Sequence, residues 1–346
     1  MKITLIGCGA WAMGIASHLA RKDFDVTVWA HSEAEADRLS REKSLPNAFP
    51  GVIFPESIRY TNDRAEAVNG AELIIFAVAS PFTRKTAENF REVIGTGRRI
   101  TVVTKGIEEE TLMTQAEILE QVLPGNTVSA LSGPTHAEEV VRGMPTTIVS
   151  ASKSREMAEF VQDVFMSDVF RVYTSPDILG VELGGSLKNV IALAAGMADG
   201  LGYGDNLKAA IITRGIHEMA GLAMQMGAKI QTMQGLSGIG DLIVTCASMH
   251  SRNRKAGILM GQGKTMEEAT TEVGQVVEGI YSAKAAQALS KKYHTPLPIT
   301  EGVCRVLFEG ITAKEAFLSL MTRDRKIEWE FTPEDLPECW RNDSSH

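Results

Sequence analysis

The sequence predicts an α/β fold in which a doubly wound Rossmann-type sheet is followed by an all-α domain. A strand–glycine–helix signature opens the chain, strand-like and helical runs then alternate, and the β pattern stops near Gly180. Alternating strands and helices form mainly parallel sheets with right-handed crossovers. We therefore expect one domain over residues 1–180, a helical domain over 181–325 and a polar tail over 326–346.

The N-terminal signature predicts a dinucleotide site. The opening MKITLI alternates polar and apolar residues as a strand does, and it runs into the G-x-G-x-x-A turn of Gly7–Ala12. In such turns the first glycine permits the tight bend, and the second lets the backbone approach a pyrophosphate. The small third residue allows close helix–strand packing. The helix expected over residues 12–21 would direct its positive N-terminal end at that pyrophosphate.

The end of the second strand bears on the choice between NAD and NADP. NAD-specific sites commonly carry an acid there, which binds the ribose 2′-hydroxyl. Here the strand over residues 25–30 leads into His31 and Ser32, and the first acid is Glu33. Because no carboxylate would repel a 2′-phosphate, the sequence favours NADP, or acceptance of both NAD and NADP. His31 and Ser32 are candidate contacts, although a histidine in a surface loop is commonly only solvated.

The rest of the first domain follows a loop over residues 44–57 that is rich in proline and glycine. Further strands are predicted over 73–78, 99–104, 127–131, 146–149 and 170–173, with helices over 81–94 and 110–122. Ligands of such sheets bind at the carboxyl ends of the strands. This rule makes Ser80, Lys105 and Gly133 site candidates.

The second half of the chain is predicted to be helical. Helices are expected over 186–200, 206–226, 253–260, 265–272, 282–292, 300–309 and 312–321. The first of them opens with GGSLKN, which places Lys188 near the start of a long apolar run. A lysine on a buried helix needs an anionic partner, a lowered pKa or a function. A lysine that extends to solvent at a helix end is the alternative.

Four further motifs carry groups that could act with Lys188. Lys105 lies at the carboxyl edge of the sheet, and the backbone amides of Ser132–Thr135 could bind an anion. A glycine-rich turn over Gly235–Asp241 ends in an acid, and Ser251–Arg254 offers a guanidinium and an amide suited to phosphate. Each motif alone could be a surface lysine, a connector or a solvated helix face. Together, behind a dinucleotide fold, they predict one anion-binding catalytic site.

Composition excludes several classes of protein. The formal net charge of −8 opposes binding to nucleic acid and to anionic membranes. The four cysteines lack metal-ligand spacing, so no metal site is predicted, and free thiols in a reducing compartment are expected. The apolar stretch before Cys8 is shorter than the roughly 7–15 residues of a signal-peptide core. We expect a cytoplasmic protein with no membrane span.

With these motifs in this order, the sequence resembles the bacterial type of NAD(P)-dependent sn-glycerol-3-phosphate dehydrogenase. The resemblance extends over nearly the whole chain up to about Arg323, and its KNV and SRNR segments are the most specific. The segments that carry it are KGIE (105–108), LSGPT (131–135), FRVYTS (170–175), GVELGGSLKNVIALAAGMADGLGYGDN (180–206), ITRG (212–215), GLSGIGDLIVTC (235–246), SRNR (251–254), GQVVEG (274–279) and PITEGVCRVL (298–307).

The resemblance implies reversible reduction of dihydroxyacetone phosphate to sn-glycerol 3-phosphate by NADH or NADPH, for phospholipid synthesis, in a homodimer. It implies that Lys188 is the general acid/base, supported by Lys105, Asp241 and Asn189. The residues implied at the substrate are Lys105, Gly133, Thr135, Lys188, Asp241, Ser251, Arg252 and Asn253. Those expected at the dinucleotide are Gly7, Gly9, Ala10, Trp11, Ala12, His31, Lys105, Ala137, Arg252, Val276 and Glu278.

Chemistry gives a reason for these roles. An ammonium can stabilise and then protonate the oxygen of a ketone that accepts a hydride. Lys105 should lower the pKa of Lys188, and Asp241 should raise it. Two other functions remain open: another two-domain hydroxyacid or phosphosugar dehydrogenase, and a non-catalytic dinucleotide-binding protein. The second would be favoured by the loss of Lys188 or Asp241, and both are present.

Some positions depart from the family pattern. Ala10 and Ala12 replace a serine and a glycine of the first turn, and Ala79–Pro81 replaces a Pro-Ser-His run. His136 stands where phenylalanine is usual. These differences bear on cofactor preference and kinetics, and they remove no acid, base or phosphate ligand.

Overall fold

A computed structural model describes residues 1–325 and 327–328. Its centre is one sheet of eight strands in the order β3-β2-β1-β4-β5-β6-β7-β8. The strands are β1 (Lys2–Ile6), β2 (Asp25–Trp29), β3 (Arg59–Thr61), β4 (Leu73–Phe76), β5 (Arg99–Val102), β6 (Thr127–Ser132), β7 (Thr146–Ser152) and β8 (Phe170–Ser175). All neighbours pair in parallel except β6 and β7. The predicted α/β class with a mainly parallel sheet is confirmed.

Helices flank the sheet in the first half of the chain and form a separate layer in the second. The first set is α1 (Ala10–Ala20), α2 (Glu33–Glu42), α3 (Arg64–Val68), α4 (Thr83–Ile94), α5 (Gln115–Val122), α6 (Ala137–Val140) and α7 (Arg155–Phe165). The second is α8 (Ile178–Gly200), α9 (Asp205–Gln225), α10 (Ile230–Met233), α11 (Asp241–Ala247), α12 (Arg252–Gly261), α13 (Met266–Val273), α14 (Glu278–Lys292), α15 (Pro298–Phe308) and α16 (Ala313–Met321).

Several predicted boundaries are wrong. The structure adds β3, α2, α3, α6 and α7, and α5 begins at residue 115 rather than 110 because Thr114 and Glu117 form a capping box there. The glycine-rich segment expected to be an irregular turn forms a single π-helical turn over 236–240, which leads into α11. The predicted tail over 326–346 lies outside the described residues, apart from 327 and 328. The division into domains at residue 180 stays a prediction, and α8 runs across that position.

The long helix α8 begins at Ile178, not at residue 186, so Lys188 lies three turns inside it rather than near its start. The helix continues through Gly184 and Gly185 because both lie at close contacts. A Cβ on Gly184 would overlap the carbonyl oxygen of Ser237, and one on Gly185 would lie 2.6 Å from Ser132 Oγ. These glycines therefore bring the π-helical turn and the end of β6 against α8.

Helix α8 is the core helix of the second layer. It has the length and hydropathy of a membrane span, but 94% of its apolar window is buried inside the protein. It packs against α9, α11, α12 and α14. Burial on all sides accounts for its nearly continuous apolar sequence.

The crossing of α8 and α12 depends on two pairs of glycines. A Cβ on Gly196 would overlap the carbonyl oxygen of Arg254, and a Cβ on Gly257 would overlap that of Leu193. Gly200 and Gly261 make the same kind of contact one turn farther on. This close approach of the two backbones sets the N-terminus of α12 beside the middle of α8.

Candidate active site

The glycine turn after β1 is shaped by backbone contacts. Gly7 has φ of +115°, its N–H donates to the Trp29 carbonyl at 3.0 Å, and a Cβ there would lie 2.8 Å from the Ala77 oxygen. Gly9 precedes α1 without any side-chain cap, and a Cβ on Gly9 would meet no atom within 4 Å. The space in front of Gly9 is thus open, and an uncapped helix N-terminus with open space before it is suited to binding a pyrophosphate.

One cleft of about 390 Å³ runs from this turn to the middle of α8. Most of the predicted site residues line it. They are Gly9, Ala10, Trp11, Lys105, Thr135, Ala137, Lys188, Asn189, Ser251, Arg252, Asn253, Val276 and Glu278. The structure therefore brings the predicted dinucleotide and substrate residues into one cavity.

Five of the residues expected at the substrate or the dinucleotide lie outside the cleft lining, as do the further candidates Ser32 and Ser80. Gly7 and Ala12 are buried behind the glycine turn, and Gly133 and Asp241 are buried beneath Lys105. His31 is exposed after β2, where its ring packs edge-on against that of Trp29 at 6.0 Å. The four buried residues support the cleft from behind, whereas His31 lies beyond one end of it.

A carboxylate buried between two lysines forms the inner end of the cleft. Asp241, the first residue of α11, is fully buried. It accepts a hydrogen bond from Lys188 Nζ on one oxygen and from Lys105 Nζ on the other, the latter at 2.7 Å. Lys105 also donates to the Gly133 carbonyl at 2.9 Å and to Thr135 Oγ1 at 3.3 Å. The carboxylate thus joins the sheet edge to the core helix.

The surroundings of Lys188 lower the pKa of its ammonium to about 8. Burial is the main cause, since the side chain is only 7% exposed, and the charge of Lys105 acts in the same direction. Asp241 opposes both by stabilising the charged form. The directions predicted for the effects of Lys105 and Asp241 on the pKa of Lys188 are confirmed. Burial lowers this pKa more than Lys105 does, because Lys188 lies deep in α8.

Thr245 is a site residue that sequence reasoning missed. Its hydroxyl accepts from Lys188 Nζ at 2.7 Å and donates to the Asp241 carbonyl at 2.6 Å. Its distance from Asp241 along the chain could have revealed it. Residues four apart on a helix share a face, and Thr245 follows Asp241 by four residues. The Lys188 ammonium is therefore held by two side chains of α11.

Two asparagines link α8, α12 and α14. Asn253 donates to Asn189 Oδ1 at 2.9 Å, and its own Oδ1 accepts the Gly279 N–H at 2.8 Å. Ser251 caps α12 by accepting the Arg254 N–H at 3.2 Å. These contacts fix the first turn of α12 at the cleft, with its N–H groups and Arg252 at the rim.

Two arginines on α12 have opposite surroundings. Arg254 is paired with Asp199 through two hydrogen bonds of 2.8 and 2.7 Å. Arg252, two residues earlier, is exposed and makes no hydrogen bond or ion pair with any part of residues 1–325 or 327–328. An unpaired guanidinium beside a helix N-terminus is suited to a phosphate dianion.

Some of the departures from the family pattern line the cleft and others lie behind it. Ala10 is part of its lining, while Ala12 is buried in the packing of α1. Pro81 sits in a short 3₁₀ turn, Ser80–Phe82, after β4. His136 is half-buried with its ring 5.8 Å from that of His250, and burial together with the Lys188 charge lowers the pKa of His136. His250, a further lining residue, carried no signal in the sequence.

Family models match most of the chain. Residues 2–158 match the NAD-dependent glycerol-3-phosphate dehydrogenase N-terminus, and residues 177–318 match the C-terminus of the same family. Among curated relatives, the glycerol-3-phosphate dehydrogenase [NAD(P)+] of Agathobacter rectalis is 55% identical over 94% of this chain and 97% of the relative. That of Fusobacterium nucleatum is 49% identical over 95% of this chain and 98% of the relative.

Solved structures show the same likeness. The crystal structure of glycerol-3-phosphate dehydrogenase from Coxiella burnetii is similar to this chain with a TM-score of 0.90 at 33% identity. The match covers 93% of this chain and 99% of that one. A ketopantoate reductase from Ralstonia eutropha is similar at 16% identity with a TM-score of 0.60, a likeness of fold alone.

Proposed function

This chain belongs to the NAD-dependent glycerol-3-phosphate dehydrogenase family, and we propose that Lys188 is the proton donor with which it reduces dihydroxyacetone phosphate. The protein is an NAD(P)-dependent oxidoreductase that acts on a CH–OH group. The product of the forward reaction is sn-glycerol 3-phosphate. The observation that carries the proposal is the buried Lys188–Asp241–Lys105 cluster at the inner end of a cleft that begins at the glycine turn.

Lys188 serves the proton transfer. A ketone that accepts a hydride gains negative charge on its oxygen, and the Lys188 ammonium stabilises that charge and then donates a proton to the oxygen. Asp241 and Thr245 orient the ammonium through their hydrogen bonds. In the reverse direction the neutral amine accepts the proton of the alcohol. A pKa of about 8 leaves both forms accessible near neutral pH.

Lys105 supports the reaction from the other side of Asp241. It shares the carboxylate with Lys188 and so keeps the charge of Asp241 from fully neutralising the Lys188 ammonium. Its position at the cleft lining also suits contact with substrate and dinucleotide. Thr135 and Ser251 line the substrate end of the cleft, and Gly133 supports it from behind by accepting a hydrogen bond from Lys105.

Arg252 and Asn253 hold the substrate phosphate. Arg252 supplies a guanidinium that no carboxylate among the described residues occupies, and the N-terminus of α12 adds its positive end. Asn253 is fixed by Asn189 and Gly279, so its place relative to Lys188 is rigid. A phosphate anchored here sets the distance from the ketone carbon to the Lys188 ammonium.

The dinucleotide, when bound, supplies the hydride. Gly9 and Ala10, in the turn that Gly7 and Ala12 shape from behind, would hold its pyrophosphate with backbone N–H groups, in keeping with the open space in front of Gly9. The other lining residues that would border the dinucleotide are Trp11, Lys105, Ala137, Arg252, Val276 and Glu278. His31, exposed after β2 and beyond one end of the cleft lining, would meet the ribose 2′-position and would favour acceptance of NADP beside NAD.

Three wider assignments complete the proposal. The division into a dinucleotide domain over 1–180, a substrate domain over 181–325 and a tail over 326–346 follows the sequence pattern. The enzyme acts as a homodimer in the cytoplasm. Its product supplies glycerol phosphate for phospholipid synthesis.

The deciding experiment follows the absorbance of reduced nicotinamide in the presence of the purified protein and dihydroxyacetone phosphate. NADH and NADPH are tested in parallel, with a hydroxyacid-derived ketone as the control substrate. We expect oxidation of either cofactor with dihydroxyacetone phosphate and none with the control. A folded protein that binds the dinucleotide but oxidises neither with dihydroxyacetone phosphate would refute the substrate assignment.

A further inference from the structure

A hydrogen-bonded pair at the rim of the cleft joins the sheet to the helical layer. Ser80 follows β4, and Glu278 is the first residue of α14, 198 positions later in the chain. The Ser80 N–H donates to Glu278 Oε1 at 3.1 Å, and the Ser80 hydroxyl donates to Oε2. Each oxygen of the carboxylate is therefore held by a different group of one serine.

The side chains of Ser80 and Glu278 are closely packed against the end of the sheet. Ser80 is only 4% exposed, and a Cβ on Gly106 would overlap the Ser80 side chain and lie 3.5 Å from Glu278 Oε2. Gly106 directly follows Lys105 in the loop after β5. The glycine thus leaves the space in which the serine and the carboxylate meet. Burial raises the pKa of Glu278, and the two Ser80 donors oppose that rise by stabilising the carboxylate.

Arg252 is the cation that could compete for this carboxylate. Asn253, the residue after Arg252, accepts a hydrogen bond on its Oδ1 at 2.8 Å. The donor is the N–H of Gly279, the residue after Glu278. Arg252 and Glu278 therefore start side by side on α12 and α14, both line the cleft, and the Arg252 charge lowers the pKa of Glu278. Yet the two form no ion pair within the described residues, because Glu278 is turned towards Ser80.

We infer that Ser80 is a positioning residue that holds the Glu278 carboxylate at the sheet edge and so leaves Arg252 unpaired for an anionic phosphate. A freed carboxylate would pair with Arg252 and compete with the ligand for the same guanidinium. Ser80 touches no reacting atom in this role. Its loss should weaken phosphate binding without slowing the chemical step. The inference rests on the proposed function, in which Arg252 binds the substrate phosphate.

The test compares Ser80→Ala with a matched control, Ser282→Ala. Ser282 lies on the same helix as Glu278, and its buried hydroxyl has no hydrogen-bond partner among the described residues. Ser80→Ala removes the hydroxyl bond to Glu278 Oε2 and keeps the backbone N–H bond to Oε1, so one carboxylate oxygen is released towards Arg252. We expect this variant to raise the KM for dihydroxyacetone phosphate by about tenfold, which corresponds to about 1.4 kcal/mol, with kcat nearly unchanged. Ser282→Ala should leave both constants at the wild-type values.

A second variant separates positioning from general loosening. Glutamine at position 278 cannot form an ion pair with Arg252, so Ser80→Ala combined with Glu278→Gln should have a lower KM than Ser80→Ala alone. An unchanged KM in Ser80→Ala, or a double variant no better than Ser80→Ala, would overturn the inference. If Ser80→Ala does not fold, Ser80→Cys, whose thiol is a weak donor, is judged by the same two outcomes.

The wild-type protein distinguishes the two proposals. A wild type that does not reduce dihydroxyacetone phosphate refutes the proposed function itself. An active wild type with an unaffected Ser80→Ala variant refutes only the role of Ser80.

Discussion

The two ends of the cleft are built in different ways. At the inner end, Lys105, Lys188, Asp241 and Thr245 come from three separate elements and hold one another through charged hydrogen bonds. At the outer end, the turn after β1 presents backbone N–H groups and small residues, and α1 has no side-chain cap. The inner end is made of side chains, and the outer end is made of backbone.

This difference fits the ligands that we propose for the two ends. A pyrophosphate can be held by N–H groups that a helix N-terminus leaves free, so small side chains that allow close approach are sufficient. Proton transfer to a carbonyl oxygen needs an ionisable side chain with a tuned pKa, and burial beside other charges provides it. A substitution at the inner end should therefore change chemistry, and one at the outer end should change binding.

Lys188→Ala tests this division with the largest expected effect. Removal of the proton donor should lower kcat by about 10²–10⁴-fold, while dinucleotide affinity is retained. Rates and a fluorescence titration with NADH measure the two quantities. Lys208→Ala is the control, because Lys208 pairs with Asp199 outside the cleft lining. An equal loss of dinucleotide affinity in Lys188→Ala would make Lys188 a structural residue.

Arg252→Ala probes the substrate phosphate at the rim. The loss of a charged contact of this kind costs about 2–5 kcal/mol, so the KM for dihydroxyacetone phosphate should rise by at least about tenfold. Lys255→Ala, which removes an exposed cation from the same helix, should have little effect. If both variants kept the wild-type KM, the phosphate would have to bind elsewhere in the cleft.

Gly9→Ala tests the backbone character of the outer end. The protein leaves room for the added Cβ, so the variant should fold with wild-type thermal stability. Dinucleotide affinity should fall by about 1.5–3 kcal/mol, the value of a hydrogen bond to a charged group, because the methyl group occupies the approach to the pyrophosphate. Gly7→Ala is the contrasting variant: its φ of +115° and the nearby Ala77 oxygen predict a loss of stability as well. Equal dinucleotide affinity in Gly9→Ala and wild type would contradict this view of the turn.

The dependence of the reaction rates on pH is the smallest of these expected effects, and it tests only the inner end of the cleft. Reduction needs the protonated ammonium, so its rate should fall as the pH rises through the Lys188 pKa of about 8, whereas alcohol oxidation should gain over the same range. Asp241 raises this pKa, so Asp241→Asn should move both limbs to lower pH. Profiles of kcat against pH in both directions measure the shift. A limb that does not move in Asp241→Asn would mean that another group titrates.

The sequence predicted the features that depend on neighbouring residues. The turn of Gly7–Ala12, the alternation of strands and helices, and the placing of Lys105 at a strand end could all be read from local patterns. The start of α8 could not, because Gly184 and Gly185 are typical of a turn and are kept in the helix here by contacts with Ser237 and Ser132. Local propensity was overridden by packing from distant parts of the chain.

The sequence by itself determined the fold class, the family and the chemical types of the site residues. Only the tertiary structure decided which of them meet: Lys188 with Thr245, Asn189 with Asn253, and Glu278 with Ser80 rather than with Arg252. The physical reason is the separation along the chain over which each kind of interaction acts. Turn chemistry and hydrophobic periodicity act over a few residues, whereas each of these pairs joins elements that are distant in the chain. Asn189 meets Asn253, for example, because the glycines of α8 and α12 let those two helix backbones approach closely.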